Sequence, residues 1–157
     1  MADILNAWGT LTDFVLTSLA SLADGYVWQS GDMSAPNPTP DFVRIYYQLV
    51  FNATPVAGDS LRFYFANVDG GSTPTIRDGN IGGTVGALSA VGDRAGVGAG
   101  CNLVKEHFWT GSHGATFSGS FDLWLPSPTW QLLVQPVGEA LSGTPGTIRF
   151  QYSHPQA

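Results

Sequence analysis

Hydrophobic and polar residues alternate most clearly between Phe42 and Val68. In the run from Phe42 to Phe51, Val43, Ile45, Tyr47, Leu49 and Phe51 fall on one side of an extended chain, and Phe42, Arg44, Tyr46, Gln48 and Val50 on the other. Successive side chains of a strand point to opposite faces, so the first set is the predicted core face. A second run, Ser60 to Val68, repeats the pattern, with Leu61, Phe63 and Phe65 set against Arg62, Tyr64 and Ala66. The Pro/Gly linker between them, Asn52 to Asp59, makes the two runs read as paired antiparallel strands. It is too long for a two-residue hairpin turn, so neighbours in one sheet and a crossing between sheets both remain open. A lone hairpin is marginal in water, so the rest of the chain has to supply a second layer.

Residues 1–12 read as a short N-terminal arm, with one helical turn around Asp3 to Thr10 and Ile4, Leu5 and Trp8 as anchors. Leu11 to Leu22 alternates loosely and is the first strand candidate; Ala23-Asp24-Gly25 is a turn signal, and Tyr26 to Gly31 a returning strand that carries Trp28. Pro36, Pro38 and Pro40 cannot donate to a ladder and mark an extended crossing. The 70–100 stretch is a long Gly-rich loop region with room for one short element around Val85 to Val91. Further strands are expected at Asn102 to Trp109, Phe117 to Leu125, Trp130 to Gln135 and Ile148 to Ser153, with Ala140 to Thr147 as a loop. About eight strands with turn signals every 8 to 15 residues predict an all-β fold, an antiparallel β-sandwich that is jelly-roll-like, in one domain spanning 1–157.

Composition agrees. The chain has 20 Gly and 10 Pro, whereas Lys and Glu, the staple of surface helices, occur only as Lys105, Glu106 and Glu139. The net charge of −6 is concentrated at the front, where residues 1–43 hold five Asp and no base. No basic face is available to displace counterions, which speaks against a nucleic-acid partner. Cys101 is the only cysteine, so no intrachain disulfide forms. The N-terminus lacks the basic start of a signal peptide, and the longest apolar window, Phe14 to Ala23, is too short to span a bilayer. A soluble protein made in a cytoplasm, with no membrane partner, is the expectation.

Candidate chemistry is sparse. Glu106, His107, His113 and Asp122 form the one titratable cluster, but Glu106 and His107 point to opposite faces of a strand and cannot share a metal without a bulge. No Gly-x-Ser-x-Gly elbow occurs. Gly96, Gly98 and Gly100 lack the third spacing, the helix and the Lys of a phosphate loop, and lone cysteines such as Cys101 usually behave as small apolar residues. No catalytic residue, metal or cofactor is therefore expected, and the protein reads as a non-enzyme. Five Trp are scattered along the chain. Trp124 alternates against Leu123 and Leu125, and Trp109 against Phe108, which points both away from the main core; a protein interface, a place in the core and a carbohydrate platform stay open for the five.

Several stretches resemble small virion proteins of tailed bacteriophages, the head decoration or cement type with a jelly-roll-like sandwich. They are Leu19-Ala20-Ser21-Leu22-Ala23-Asp24-Gly25 followed by Gln29-Ser30, the aromatic strand from Arg44, Pro126-Ser127-Pro128-Thr129-Trp130, Val137-Gly138-Glu139-Ala140-Leu141, and Tyr152-Ser153-His154-Pro155. The resemblance implies a non-enzymatic protein on the capsid surface of a virion, made in the host cytoplasm. It implies a homotrimer that stabilises the shell by bridging copies of the major capsid protein. Under it, the expected contact residues are Ile4, Leu5, Trp8, Trp28, Arg44, Arg62, Trp109 and Trp124. The N-terminal arm and the Pro36-Pro38-Pro40 segment would grip the shell. The alternative is a receptor- or glycan-binding module of a tail or fibre.

Overall fold

A computed structural model describes residues 6–16, 19–37, 40–67, 86–87, 101–110, 114–125 and 128–155. The described residues form strands and no helix, in two antiparallel sheets. The strands are β1 (Asn6–Trp8), β2 (Thr12–Asp13), β3 (Tyr26–Gln29), β4 (Met33–Ser34), β5 (Phe42–Phe51), β6 (Ser60–Asn67), β7 (Gly86–Ala87), β8 (Cys101–Phe108), β9 (Thr116–Trp124), β10 (Thr129–Val137) and β11 (Leu141–Pro155). One sheet runs β1-β11-β5-β9, with β2 also on β11; the other runs β7-β3-β10-β6-β8, with β4 also on β10.

The pairings are nested. The first strands lie on the last (β1 and β2 on β11), the next on the one before it (β3 and β4 on β10), then β5 on β9 and β6 on β8. A long hairpin folded back on itself gives this order, and the two sheets form an all-β sandwich. It settles the relation of the two opening runs: β5 and β6 lie in different sheets, so the linker 52–59 crosses the sandwich, and each strand takes its partners from the far half of the sequence. The reason is burial. Pairing β5 with β6 would leave the core faces of both side by side in one layer, whereas crossing sets them face to face.

That core is aromatic. Val43, Ile45, Tyr47, Leu49 and Phe51 of β5 are buried, as are Leu61, Phe63 and Phe65 of β6. Between the sheets, Tyr47 meets Phe63 at 4.6 Å and Phe150 meets Trp130 edge-on at 6.0 Å between ring centroids. Phe14 fills the end of the layer against Trp28, Trp130 and Phe150. The outer side of β10 is buried too, at Gln131, Leu133 and Gln135. There Gln29 donates to Gln131 and Gln131 Nε2 to Asp32 at 2.6 Å, while Tyr64 Oη donates to Gln135 at 2.9 Å, so each buried amide on this side has a hydrogen-bond partner.

Four expectations are corrected. The helical turn proposed near the N-terminus is strand β1, because Asn6 to Trp8 complete a ladder on the end of β11. Only Thr12–Asp13 of the Leu11 to Leu22 strand pairs; after Phe14 N–H bonds Ile148 O the chain leaves the sheet to bury Leu19 and Leu22. The returning segment β3 belongs to the opposite sheet from β2. The loop Ala140 to Thr147 lies largely within β11, whose register on β5 shifts between Leu141 and Gly146 and so absorbs Pro145 without breaking the strand. Gly146 is left-handed (φ +101°), and a Cβ there would lie 2.0 Å from Gln48 O, so the bulge requires glycine. The Gly-rich stretch lies outside the described residues except for β7, which falls within the Val85 to Val91 window.

Candidate interaction surface

The alternation of β5 sends Phe42, Arg44, Tyr46 and Gln48 to the outer face of the β1-β11-β5-β9 sheet. Register decides what joins them. Phe42 lies opposite Trp124 and Arg44 opposite Asp122 on β9, while Trp8 of β1 lies opposite Ser153 of β11. Two rows result at one end of the face, one of rings and one centred on a cation. The Phe42 and Trp124 rings meet edge-on at 5.5 Å. Arg44 Cζ stands 4.3 Å over the Trp8 ring, and the guanidinium donates to both Asp122 oxygens, Nε to Oδ1 at 2.6 Å and Nη2 to Oδ2 at 2.7 Å. A planar fork held from both sides is a fixed feature rather than a waving side chain.

The electrostatics follow from that fork. Hydrogen bonding to Asp122 raises the Arg44 pKa further above its ordinary value, against a smaller effect of burial. The bond from Arg44 holds the Asp122 carboxyl below the usual carboxylate range. Both side chains are about a third or more exposed, at 34% and 42%, so the pair itself is worth only about 0–1 kcal/mol to the fold. Its consequence is to neutralise the patch and fix the guanidinium over the Trp8 ring. Trp124 is 64% exposed and Trp8 37%. An indole that open beside a second aromatic is unusual surface for a protein that stays alone.

Of the expected contact residues, the fold brings Trp8, Arg44 and Trp124 together here. Arg62 sits on the other sheet, where Nε donates to Glu106 Oε1 at 2.6 Å; burial alone would lower its pKa, and the Glu106 partner outweighs that and raises it. Trp28 and Trp109 are corrected. Trp28 is 2% exposed because β3 turns its indole inward on the core cluster. Trp109 is 6% exposed: β8 ends at Phe108, Trp109 N–H turns back to Asp59 O at 2.8 Å, and the indole stacks on Phe117 at 5.3 Å, leaving Phe108 outside instead. Ile4 and Leu5, together with His113, lie outside the described residues. Residues 6–8 and Thr12 of the arm pair with β11, as does Asp13 beyond it, to which Arg149 Nε donates at 2.7 Å. Phe42 and Asp122 were not among the expected contact residues. The outward parity of Phe42 was readable there, whereas the register that places Trp124 and Asp122 beside β5 was not.

A concavity of about 500 Å³ opens between the ends of β8 and β9, lined by His107, Phe108, Trp109, Thr110, Thr116, Phe117 and Ser118. His107 Nδ1 is hydrogen-bonded to Tyr47 Oη at 2.8 Å, and its ring lies against Phe117 at 4.7 Å. Glu106 points the other way, to Arg62 and Ser60, as strand parity requires. Among the described residues no three of His, Cys, Asp or Glu converge as a metal site would require. No helix among them is long and apolar enough to cross a membrane. No protein-family model matches the chain, and no curated protein matches it.

Proposed function

We propose that this protein is a non-enzymatic structural component of a virion, a decoration or cement protein. It would dock on the major capsid protein through the outer face of the β1-β11-β5-β9 sheet and associate with further copies of itself. The observation that carries the reading is the aromatic patch of Trp8, Phe42 and Trp124 around a neutralised Arg44–Asp122 pair. A rigid ring cluster with its charges already paired loses little conformational freedom and leaves no naked charge when a protein surface covers it. The resemblance to phage head decoration proteins supplies the shell as partner, and the three paired arginines of the described sheets leave little to recommend a polyanion. The test is to strip the protein from purified particles and challenge them with heat and osmotic shock. Stripped particles should lose their contents earlier, and re-addition of wild-type protein, but not of Trp124→Ala, should restore them.

One observation favours a second reading. Trp124 stands on the same strand as Asp122, which with Arg44 presents polar atoms beside an exposed ring, the chemistry on which a sugar stacks. A tail or fibre module that binds a glycan would then lose array signal with Trp124→Ala while its incorporation into particles stayed intact.

A further inference from the structure

Each sheet of the sandwich ends in strands whose outer backbone groups are open to pairing with another chain, and proteins usually guard such edges. Among the described residues, three of the four edges are guarded. On one side of the first sheet, β1 and β2 offer only three and two residues, and β7 at one end of the second sheet offers two. At its other end β8 carries Lys105 and Glu106 and a register irregularity opposite Phe63 and Tyr64. The fourth edge, β9, has none of these devices. It is nine residues long, Thr-Phe-Ser-Gly-Ser-Phe-Asp-Leu-Trp, without Lys, Arg or Pro, and its single charge, Asp122, is occupied by Arg44. Ser118, Gly119 and Ser120 at its centre are all exposed.

We infer that β9 is a self-association edge, pairing antiparallel with β9 of a second copy about a two-fold axis through Gly119. The occupant follows from the strand's own symmetry. About that centre Phe117 falls opposite the partner's Phe121, Ser118 opposite the partner's Ser120, and Thr116 opposite the partner's Asp122. Ring meets ring on the inner face, hydroxyl meets hydroxyl on the outer face, and no like charges oppose. At the axis two glycines meet. The inward position of Gly119 is already filled by Tyr47, whose Oη would lie 2.6 Å from a Cβ there. The outer faces of the two copies then become one continuous surface that carries both aromatic patches. Resting on the docking role proposed above, this gives the pair two equivalent footholds on a shell. The contact is two-fold, so it produces even-numbered assemblies, unlike the trimer implied by the resemblance.

The experiment is mass measurement by sedimentation equilibrium on the purified full chain across a concentration series, with three proteins: wild type, Ser118→Lys/Ser120→Lys, and Ser118→Glu/Ser120→Glu. Both serine side chains are exposed, and circular dichroism confirms that each variant folds. Wild type should reach a mass of two chains, or a higher even multiple, and each charged variant should remain at one. Mixing the Lys and Glu variants should restore two, because 118 faces 120 across the axis. Amide exchange should slow at residues 116–122 of wild type as concentration rises. Wild type at one or three chains up to its solubility limit overturns the inference, as does an unrestored mixture. A monomer that still restores stripped particles would sink the edge contact alone and leave the docking role standing.

Discussion

Tyr47 and His107 link the two sheets by a hydrogen bond between Oη and Nδ1 at 2.8 Å, and the bond has room to form because residue 119 is glycine. Tyr47 points inward from β5 directly opposite Gly119 on β9, and its phenol passes through the space a side chain would fill on its way to β8. Overpacking at such a point costs roughly 1–3 kcal/mol. Gly119→Ala should lower the denaturation free energy by that amount, and the double variant with Tyr47→Phe, which removes the blocking hydroxyl, should recover part of it. Additive losses in that cycle would contradict the proposed contact.

Alkaline titration probes the same phenol. Burial pushes the Tyr47 pKa up from its ordinary value near 10 to about 12, and burial raises Tyr152 in the same direction despite the bond from Trp130. A group whose folded pKa lies above its unfolded one keeps its full stabilising effect below the unfolded value and loses it as pH rises through the folded value. Stability should therefore fall between about pH 10 and pH 12, with a shallower fall in Tyr47→Phe. Denaturant midpoints measured across that window check the slope; a flat wild-type profile would refute it.

Tryptophan substitutions separate core from surface. Trp28→Ala should cost about 3–5 kcal/mol, since the side chain is enclosed by the aromatic core. Trp124→Ala, at an open position, should cost under about 1 kcal/mol and yet abolish particle rebinding. Calorimetric unfolding together with a pelleting assay distinguishes the two; rebinding by a folded Trp124→Ala protein would remove that face from the docking role.

At the acid end, Asp122 has its pKa lowered by Arg44, so its contribution is present at neutral pH and lost as pH drops below the ordinary carboxylate value of about 3.9. The pair is partly exposed, so Asp122→Asn should change stability by no more than about 1 kcal/mol. Its larger effect should be on the surface: Arg44 is released from its fork and particle affinity falls. Chemical denaturation and rebinding of Asp122→Asn, measured side by side, test that split, and a loss confined to stability would contradict it.

Alternation along β5, β6 and β9 was enough to place Ile45, Phe63 and Leu123 in the core, because a period of two is written into consecutive residues. Pairing was harder to read. Tyr47 opposite Gly119, and Arg44 between Trp8 and Asp122, depend on register between strands more than seventy residues apart, and nothing local encodes that distance. Trp109 was misread because alternation separates Phe108 from Trp109 without saying which of the two faces inward; Phe108 is the exposed one, and Trp109 turns in over Phe117. The stretch around Pro145 read as a loop because Pro and Gly are breakers in a regular ladder, whereas a shifted register at Gly146 accommodates both.

The most direct test of the shell-docking role is an electron-microscopy reconstruction of a particle that contains the protein. Density for the sandwich is predicted on the outer surface of the capsid, with Trp8, Phe42 and Trp124 turned against the major capsid protein. Density at a tail or fibre tip, or a capsid position with those three rings facing solvent, would contradict it.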